Sequence, residues 1–315
     1  MATKFYKGLT PLLSQPSLGG QLMGRAYIGG QIAYGAEPVI FDPTLGGTIT
    51  PYMWYDFTDS STMTFSSGNN IEAIYSKGTN AGELRKTNTA NFIAPTWDGS
   101  YTSFYGGTGH SKLSRRYSTD GTNGSGDSIF NVNNAYTMVC FVNPLFTVSQ
   151  AYRQLVSIKS YNIPSGPDEY NPIACDGAAG FTGTSNWSST DTSYYPSIYS
   201  FHWKITDYAH RYSFNGATPA GWNSWVSVQN GNQVYAGRTL SNTSGTSNGN
   251  YSVSSNSNYE NLTIGGRSRT DANYGANWQV SHVLFYNSIL TSTNVDDLIT
   301  NYQNAGGFTL NQVNN

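Results

Sequence analysis

Paired carboxylates are the first chemistry to look for, because hydrolysis of a glycosidic bond needs two of them flanking the sugar. The five glutamates of the chain are Glu37, Glu72, Glu83, Glu169 and Glu260. They form neither a Glu-x-Asp-x-x-Glu nor a Glu-x-x-x-Glu pattern. Asp168 and Glu169 are adjacent, so a strand would point them to opposite faces. Pro167 before them favours a solvated turn, and the carboxylates therefore do not predict a glycosidase.

Other catalytic groups also lack a recognisable pattern. Ser125 stands between two glycines but without the Gly-x-Ser-x-Gly spacing of a serine-hydrolase elbow. His202, His210 and His282 fall in predicted strands, where a histidine packs or faces water more often than it acts as a base. No glycine loop followed by Lys-Ser/Thr is present to hold phosphate. We therefore expect that the chain is not an enzyme.

Aromatic rings in polar surroundings indicate sugar binding instead, because tyrosine and tryptophan stack on pyranose rings while Asn, Ser and Thr bond the hydroxyls. Two clusters fit this pattern: Trp187 with Tyr194 and Tyr195, and Trp222 with Trp225. We predict these five residues as carbohydrate contacts. The alternative is that the same rings fill the core or a subunit interface.

One segment, 120–127, offers oxygen ligands for calcium. Asp120, Asn123 and Asp127 stand three to four residues apart, but the closing Glu of an EF-hand is missing. An ordinary Asp-Gly turn is the favoured interpretation and a calcium site is the alternative. No other metal or cofactor is expected, since two cysteines and four scattered histidines do not assemble a zinc site.

The composition predicts a β protein that must position these groups. The chain has 315 residues and a mass of 34.3 kDa, and Ser, Thr and Asn number 38, 33 and 32. Charged residues make up only 11% and aromatic residues 14%. The aromatic content argues against disorder, and a net charge of −2 argues against nucleic-acid binding by a basic surface. A turn-rich β fold with a neutral surface remains.

Seven segments have the alternation and turn spacing of antiparallel strands. They are 136–142, 154–159, 197–203, 209–214, 225–228, 261–264 and 279–286. Segment 136–142 is apolar on both faces, as in a central sandwich strand, and it contains Cys140. Whether Cys140 pairs with Cys175 stays open, because spacing alone does not establish a disulfide.

One helix is predicted over 292–304. Ser292 can cap its start, and Asp296 and Asp297 are placed in its first turn, where the helix dipole favours acids. Its apolar face consists of Val295, Leu298, Ile299 and Tyr302. Gly306 and Gly307 end the helix.

Residues 1–50 differ from the rest and predict an extended arm. Leu18–Leu22 recurs ten residues later as Ile28–Ile32, each copy an apolar–Gly-Gly–apolar unit that suits a tight turn between extended pieces. So much apolar surface calls for a partner. The residues predicted to attach the arm or to join copies of the chain are Leu12, Leu13, Leu18, Leu22, Tyr27, Ile28 and Ile32.

The order of several further segments resembles a known family. Segments 54–64, 68–71, 75–78, 88–96 and 104–110 resemble the opening of laminin-G-like, concanavalin-A-type domains found in bacteriophage virion proteins. Segments 262–267 and 278–290 and the helix 292–304 resemble the closing strands and terminal helix of that family. The similarity covers residues 52–312.

The resemblance implies a concanavalin-A-like jelly-roll: an all-β, antiparallel β-sandwich with an extended N-terminal arm and one short C-terminal helix. The expected domains are an assembly arm (1–50) and the jelly-roll (51–315). The expected function is that of a structural virion protein, attached to a tail, neck or baseplate and contributing to host-surface glycan attachment. Expected partners are other virion proteins, copies of the chain and host glycans, without nucleic acid.

The expected location is the virion surface, after synthesis in the host cytoplasm. Met1–Lys7 lacks the apolar core of a signal peptide, and no apolar run of 18 residues predicts membrane insertion. Two alternatives stay open: a capsid decoration or head-fibre protein with a purely structural jelly-roll, and, ranked below both, a glycan-active enzyme.

Overall fold

The structure is a computed structural model. It describes residues 40–80, 82–86, 92–106, 110–115, 136–145, 155–157, 221–228, 262–266 and 277–310 with their side chains, and only the backbone of the other strand residues.

The strands are named in chain order. They are β1 (Ser17–Leu18), β2 (Gln21–Leu22), β3 (Ala26–Ile28), β4 (Gln31–Tyr34), β5 (Met53–Asp56), β6 (Met63–Ser67), β7 (Asn70–Tyr75), β8 (Glu83–Lys86), β9 (Phe92–Ile93), β10 (Thr96–Trp97), β11 (Thr102–Phe104), β12 (His110–Ser111), β13 (Leu113–Ser114), β14 (Phe130–Asn131), β15 (Tyr136–Pro144), β16 (Arg153–Lys159), β17 (Glu169–Asp176), β18 (Ser197–Trp203), β19 (His210–Ser213), β20 (Asn223–Asn230), β21 (Gln233–Gly237), β22 (Asn258–Tyr259), β23 (Asn261–Ile264) and β24 (Trp278–Tyr286). A 3-10 turn spans Ser60–Thr62, and the helix α1 spans Ser292–Asn304.

Sixteen of these strands form one curled sheet. Its main path runs β19-β18-β17-β16-β23-β13-β8-β7-β10-β11-β24-β15-β20-β21, with β5 paired to β24 and β6 to β7. The pairs along this path are antiparallel. The short strands β10 and β11 link the two halves of the sheet. The predicted all-β antiparallel sandwich is therefore confirmed, and each of the seven predicted strands is present.

The first core cluster lies between the two halves of the sheet. Leu84, Leu113 and Ile264 enter it from one half, while Cys140 and Phe285 enter it from the other. All five side chains are fully buried. Cys140 is a free thiol, so it does not pair with Cys175 here. Burial raises the pKa of this thiol, because a thiolate would lose its hydration.

A second core cluster lies on the outer face of the β24–β15–β20 half. Alternate residues of these strands, among them Phe141 and Leu284, pack against the helix α1 and against segment 40–50. The Tyr286 hydroxyl donates a hydrogen bond to the Pro43 carbonyl at 2.9 Å. Residues 40–50 of the predicted arm thus pack on the sandwich, and the division into two domains at residue 50 stays a prediction.

The N-terminal strands form two hairpins that match the predicted repeat. β1 pairs with β2 so that Leu18 faces Gln21, and β3 pairs with β4 so that Ile28 faces Gln31. Both connections are two residues long, as the paired glycines in the sequence predict. The glycines themselves are outside the described residues.

The helix α1 has the predicted bounds but a different cap. Thr291 accepts a hydrogen bond from the Asn294 N–H at 3.1 Å, and Asn294 completes a capping box with the Thr291 backbone. The prediction of Ser292 as the cap is therefore wrong, and the first turn contains no acid. The predicted apolar face is buried, and Gly306 follows the helix with a φ of 77°. Among the described residues, no helix has the length and apolar character needed to cross a membrane.

Candidate functional site

The pairing of β7 with β8 brings three polar side chains together on the outer face of the sheet. Tyr75 faces Glu83, and Ala73 faces Arg85. Leu84 between the two charged residues is fully buried in the first core cluster. Because side chains alternate along a strand, Glu83 and Arg85 both point away from the core. We call Tyr75, Glu83 and Arg85 the Tyr75 patch.

The side chains of the Tyr75 patch contact one another and stay partly exposed, although the Glu83 Oε1 atom itself is buried. Arg85 Nη2 lies 2.7 Å from Glu83 Oε1, with side chains 33% and 29% exposed. The Tyr75 hydroxyl is hydrogen-bonded to the Glu83 carboxylate, which raises the pKa of Tyr75, while Arg85 opposes this increase. Tyr75 itself is 40% exposed. The patch therefore presents the Tyr75 ring with the Glu83 carboxylate and the Arg85 guanidinium beside it.

A row of hydroxyl side chains continues from the Tyr75 patch across the sheet. Arg85 faces Ser114 on β13, Ser114 faces Thr263 on β23, and Thr263 faces Ser157 on β16. The hydroxyl oxygens of Ser114 and Thr263 are 2.9 Å apart. These three residues are buried. The face of this half that points away from the first core cluster is thus polar across four strands, with its hydroxyl groups buried, whereas the opposite half is covered by α1.

Such an arrangement suits the recognition of a sugar ring. An exposed tyrosine offers an apolar face for the C–H bonds of a pyranose or furanose. A carboxylate and a guanidinium beside it provide charge-assisted hydrogen bonds to neighbouring hydroxyls. Because Glu83 and Arg85 already hold each other, their groups are fixed before a ligand arrives.

A second polar cluster lies at the end of β5, where Asp56 and His282 are buried while Lys77 and Asp59 are partly exposed. Asp56 Oδ2 lies 2.6 Å from Lys77 Nζ, and Asp59 Oδ2 lies 2.7 Å from the same nitrogen. The Lys77 ammonium also sits 4.6 Å from the centre of the Trp54 ring. The Trp54 indole N–H donates to His282 Nδ1 at 3.3 Å. This cluster ties β5 to β24 and to the segment after β7.

The pKa values of this cluster indicate a structural role. Burial lowers the pKa of His282 to about 4, against the attraction of Asp56, so the imidazole is neutral near pH 7. Burial alone would raise the pKa of Asp56, but the positive charge that His282 carries once it is protonated, together with the bonds from Lys77 and Thr58, holds it below its usual value. A hydrogen bond from Lys77 lowers the pKa of Asp59 to about 2. The acid groups are therefore charged and already occupied.

The predicted sugar-binding tryptophans take different positions. Trp225 is 0% exposed and packs edge-on against Trp278, with ring centres 5.3 Å apart. The sequence predicts Trp225 as a carbohydrate contact, but its ring fills the first core cluster, which is the alternative that the sequence left open. Trp222 is partly buried and stacks on Phe308, with ring centres 3.9 Å apart and planes 3° apart. Tyr101 contacts both rings of that stack edge-on.

The other predicted site residues fall largely outside the described part of the chain. The residues not described at all are Leu12, Leu13, Asp120, Asn123, Asp127, Trp187, Tyr194 and Tyr195. For the predicted attachment residues in β1–β4, only the backbone is described; they are Leu18, Leu22, Tyr27, Ile28 and Ile32. Among the described residues, no three His, Cys, Asp or Glu side chains come together as a metal site.

The sequence analysis did not single out the Tyr75 patch. A signal was present, because Glu83-Leu84-Arg85 alternates charged and apolar residues as a half-buried strand does. Four residues are a short basis for predicting a strand. The partner Tyr75 is eight residues away from Glu83, so nothing short of the pairing register places them together.

Comparison with known proteins gives matches of structure alone. No protein-family model matches the chain, and no curated protein matches its sequence. A Trypanosoma rangeli sialidase, in complex with a difluoro-KDN, aligns with a TM-score of 0.52 and 13% identity over 93% of this chain. A GH54 α-L-arabinofuranosidase mutant, soaked with a 4-nitrophenyl arabinofuranoside, aligns with a TM-score of 0.50 and 10% identity over 86% of this chain.

These likenesses show the fold. The chain spans 37% of the length of the sialidase chain and 66% of the arabinofuranosidase chain. The shared architecture is the β-sandwich, which agrees with the lectin-type fold implied by the resemblance.

The comparisons correct the expected function. The expectation of a bacteriophage structural protein is wrong, because the neighbours that share the fold are glycan-active enzymes and nothing in them indicates a phage. The expectation that the chain is not an enzyme is contradicted by the same neighbours.

Proposed function

We propose that this chain is a glycan-binding β-sandwich of a glycan-active protein, and that it holds sugar at the Tyr75 patch. The observation that carries the proposal is the exposed Tyr75 ring beside the Glu83–Arg85 ion pair. The similarity in fold to a sialidase and an arabinofuranosidase supports a role on glycans. That the whole protein acts on glycans is part of the same proposal.

The location of the patch adds support. The outer face of the β24–β15–β20 half is occupied by α1 and segment 40–50, whereas Tyr75 and its partners remain partly exposed on the opposite half. The hydroxyl groups of Ser114, Thr263 and Ser157 continue the polar row beside the patch but are themselves buried. Trp222 stays a proposed sugar contact, through the ring face that Phe308 does not cover.

Replacement of Tyr75 by alanine tests the proposal. Loss of the ring removes the apolar platform, so we expect binding to weaken about fivefold or more, since a stacked ring contributes about 1 kcal/mol or more. The wild-type chain is first screened against an array of plant, microbial and animal glycans. Affinity for each positive glycan is then measured by calorimetry, and released sugar is assayed in parallel.

The matched control is Tyr105→Ala. Tyr105 is 37% exposed, close to the 40% of Tyr75, and follows β11 in the other half of the sheet. We expect this variant to bind sugar like the wild type. Equal affinity of Tyr75→Ala and wild type would contradict the proposed site.

A further inference from the structure

We infer that the Tyr75 patch selects neutral sugar units that carry two vicinal hydroxyls, over sugars that carry a carboxylate. The inference rests on the proposed function and concerns the chemistry of its ligand. Its basis is the charge balance of the patch: one carboxylate, Glu83, is paired with one guanidinium, Arg85, at 2.7 Å.

Hydrogen-bonding capacity favours a diol. An ionised carboxylate only accepts hydrogen bonds, whereas a guanidinium only donates them. A hydroxyl group does both, so two neighbouring hydroxyls satisfy Glu83 and Arg85 together without separating the pair. The ring that carries them then lies over Tyr75, whose hydroxyl is held by Glu83.

The same charge balance disfavours an acidic sugar. Its carboxylate would have to approach Arg85 next to the negative charge of Glu83, or take the place of Glu83 in the pair. Lys86, the next cation along β8, pairs with the core residue Leu113 and so belongs to the other face of the strand. Within the Tyr75 patch, the single positive charge of Arg85 is already paired with Glu83.

Matched probes that differ in charge alone test the inference. Polygalacturonate and its methyl-esterified form, and sialyllactose and its methyl ester, are compared on the full chain by calorimetry at low and high salt. We expect the neutral member to bind at least about tenfold more tightly than the acidic one in each pair that binds. Glu83→Gln is expected to weaken neutral binding and to reduce that preference, because the repelling charge is gone.

The control for Glu83→Gln is Glu72→Gln, a half-buried carboxylate on the adjacent strand β7. We expect Glu72→Gln to keep the wild-type preference. Tyr75-dependent binding that favours the acidic probes would overturn the inference and leave the proposed function standing. Absence of binding to any glycan of the array would overturn the proposed function and the inference with it.

Discussion

At the scale of single residues, burial decides which ionisable groups are available for chemistry. His282 is 4% exposed and surrounded by rings, with Phe41 nearest at 4.8 Å between ring centres. Its neutral imidazole accepts from Trp54 and is part of the packing. Arg85 and Glu83 are instead partly open to solvent, so their remaining hydrogen-bonding capacity can serve a ligand.

The buried histidine predicts a pH-dependent stability. The pKa of His282 is about 4 in the folded chain, whereas a solvated histidine side chain has a pKa of 6.5. Below pH 6.5 His282 therefore binds a proton in the unfolded chain but not in the folded chain. The free energy of unfolding falls as the pH decreases from 6.5 to 4. The lowered pKa values of Asp56 and Asp59 add a further loss below about pH 4.

The measurement is urea unfolding between pH 4 and 8 for the wild type and for His282→Gln, whose amide does not titrate. We expect the slope between pH 6.5 and 4 to decrease in the variant. An unchanged slope would show that another group carries this pH dependence.

At the scale of elements, the ends and the faces of each segment matter more than its composition. The helix α1 begins where the Thr291 side chain and Asn294 satisfy the backbone, one residue before the serine that the sequence suggests. A strand as short as β8 positions two charged residues on one face because Leu84 is fixed in the core. Local side-chain geometry thus sets what each element presents.

The assignment of Thr291 as the helix cap predicts that substitutions of Thr291 and Ser292 differ in their effect on stability. Thr291→Ala removes the acceptor for the Asn294 N–H, and we expect it to lower the free energy of unfolding by about 1 kcal/mol. Ser292→Ala is the control, because Ser292 is exposed and makes no capping bond; we expect a change within about 0.5 kcal/mol. Chemical denaturation compares the two, and equal losses would contradict the assignment of the cap.

At the scale of the whole molecule, two core clusters share the strands β24 and β15. Segment 40–50 closes the second cluster: Phe41 meets the rings of Trp54, Phe141 and Tyr302 edge-on at 5.6 to 6.2 Å. The backbone N–H of Asp42 donates to Asn301 of α1 at 2.9 Å. Segment 40–50 is therefore part of the packing of the second core cluster. The outer face of the other half of the sheet stays polar.

Substitutions of the adjacent residues Phe41 and Ile40 test how much segment 40–50 stabilises the fold. Phe41→Ala leaves a gap among four aromatic rings, and we expect a loss of about 2 kcal/mol in the free energy of unfolding. Ile40→Ala is the matched control, since Ile40 is 78% exposed; its expected change is within about 0.5 kcal/mol. The readout is the denaturation midpoint with the slope held constant. A negligible effect of Phe41→Ala would contradict the packing role.

The sequence alone determined the elements whose patterns are local. The apolar run 136–142 predicts a buried strand, four apolar residues at helical spacing predict α1, and the paired glycines predict two-residue hairpins. Each of these depends on a few neighbouring residues, so periodicity and turn chemistry are sufficient. The strand order of the sheet and the position of the arm boundary are not local in this sense.

Tertiary structure decided which side chains meet and which of them reach solvent. Trp222 and Trp225 look alike in the sequence, yet one is partly exposed and the other fully buried. Trp225 lies within β20 and points into the first core cluster, whereas Trp222 precedes β20 and stacks on Phe308. Tyr75, Glu83 and Arg85 form a patch only through the register of β7 and β8. Register and burial arise from pairing between segments that are distant in the sequence, so no short stretch of the sequence predicts them.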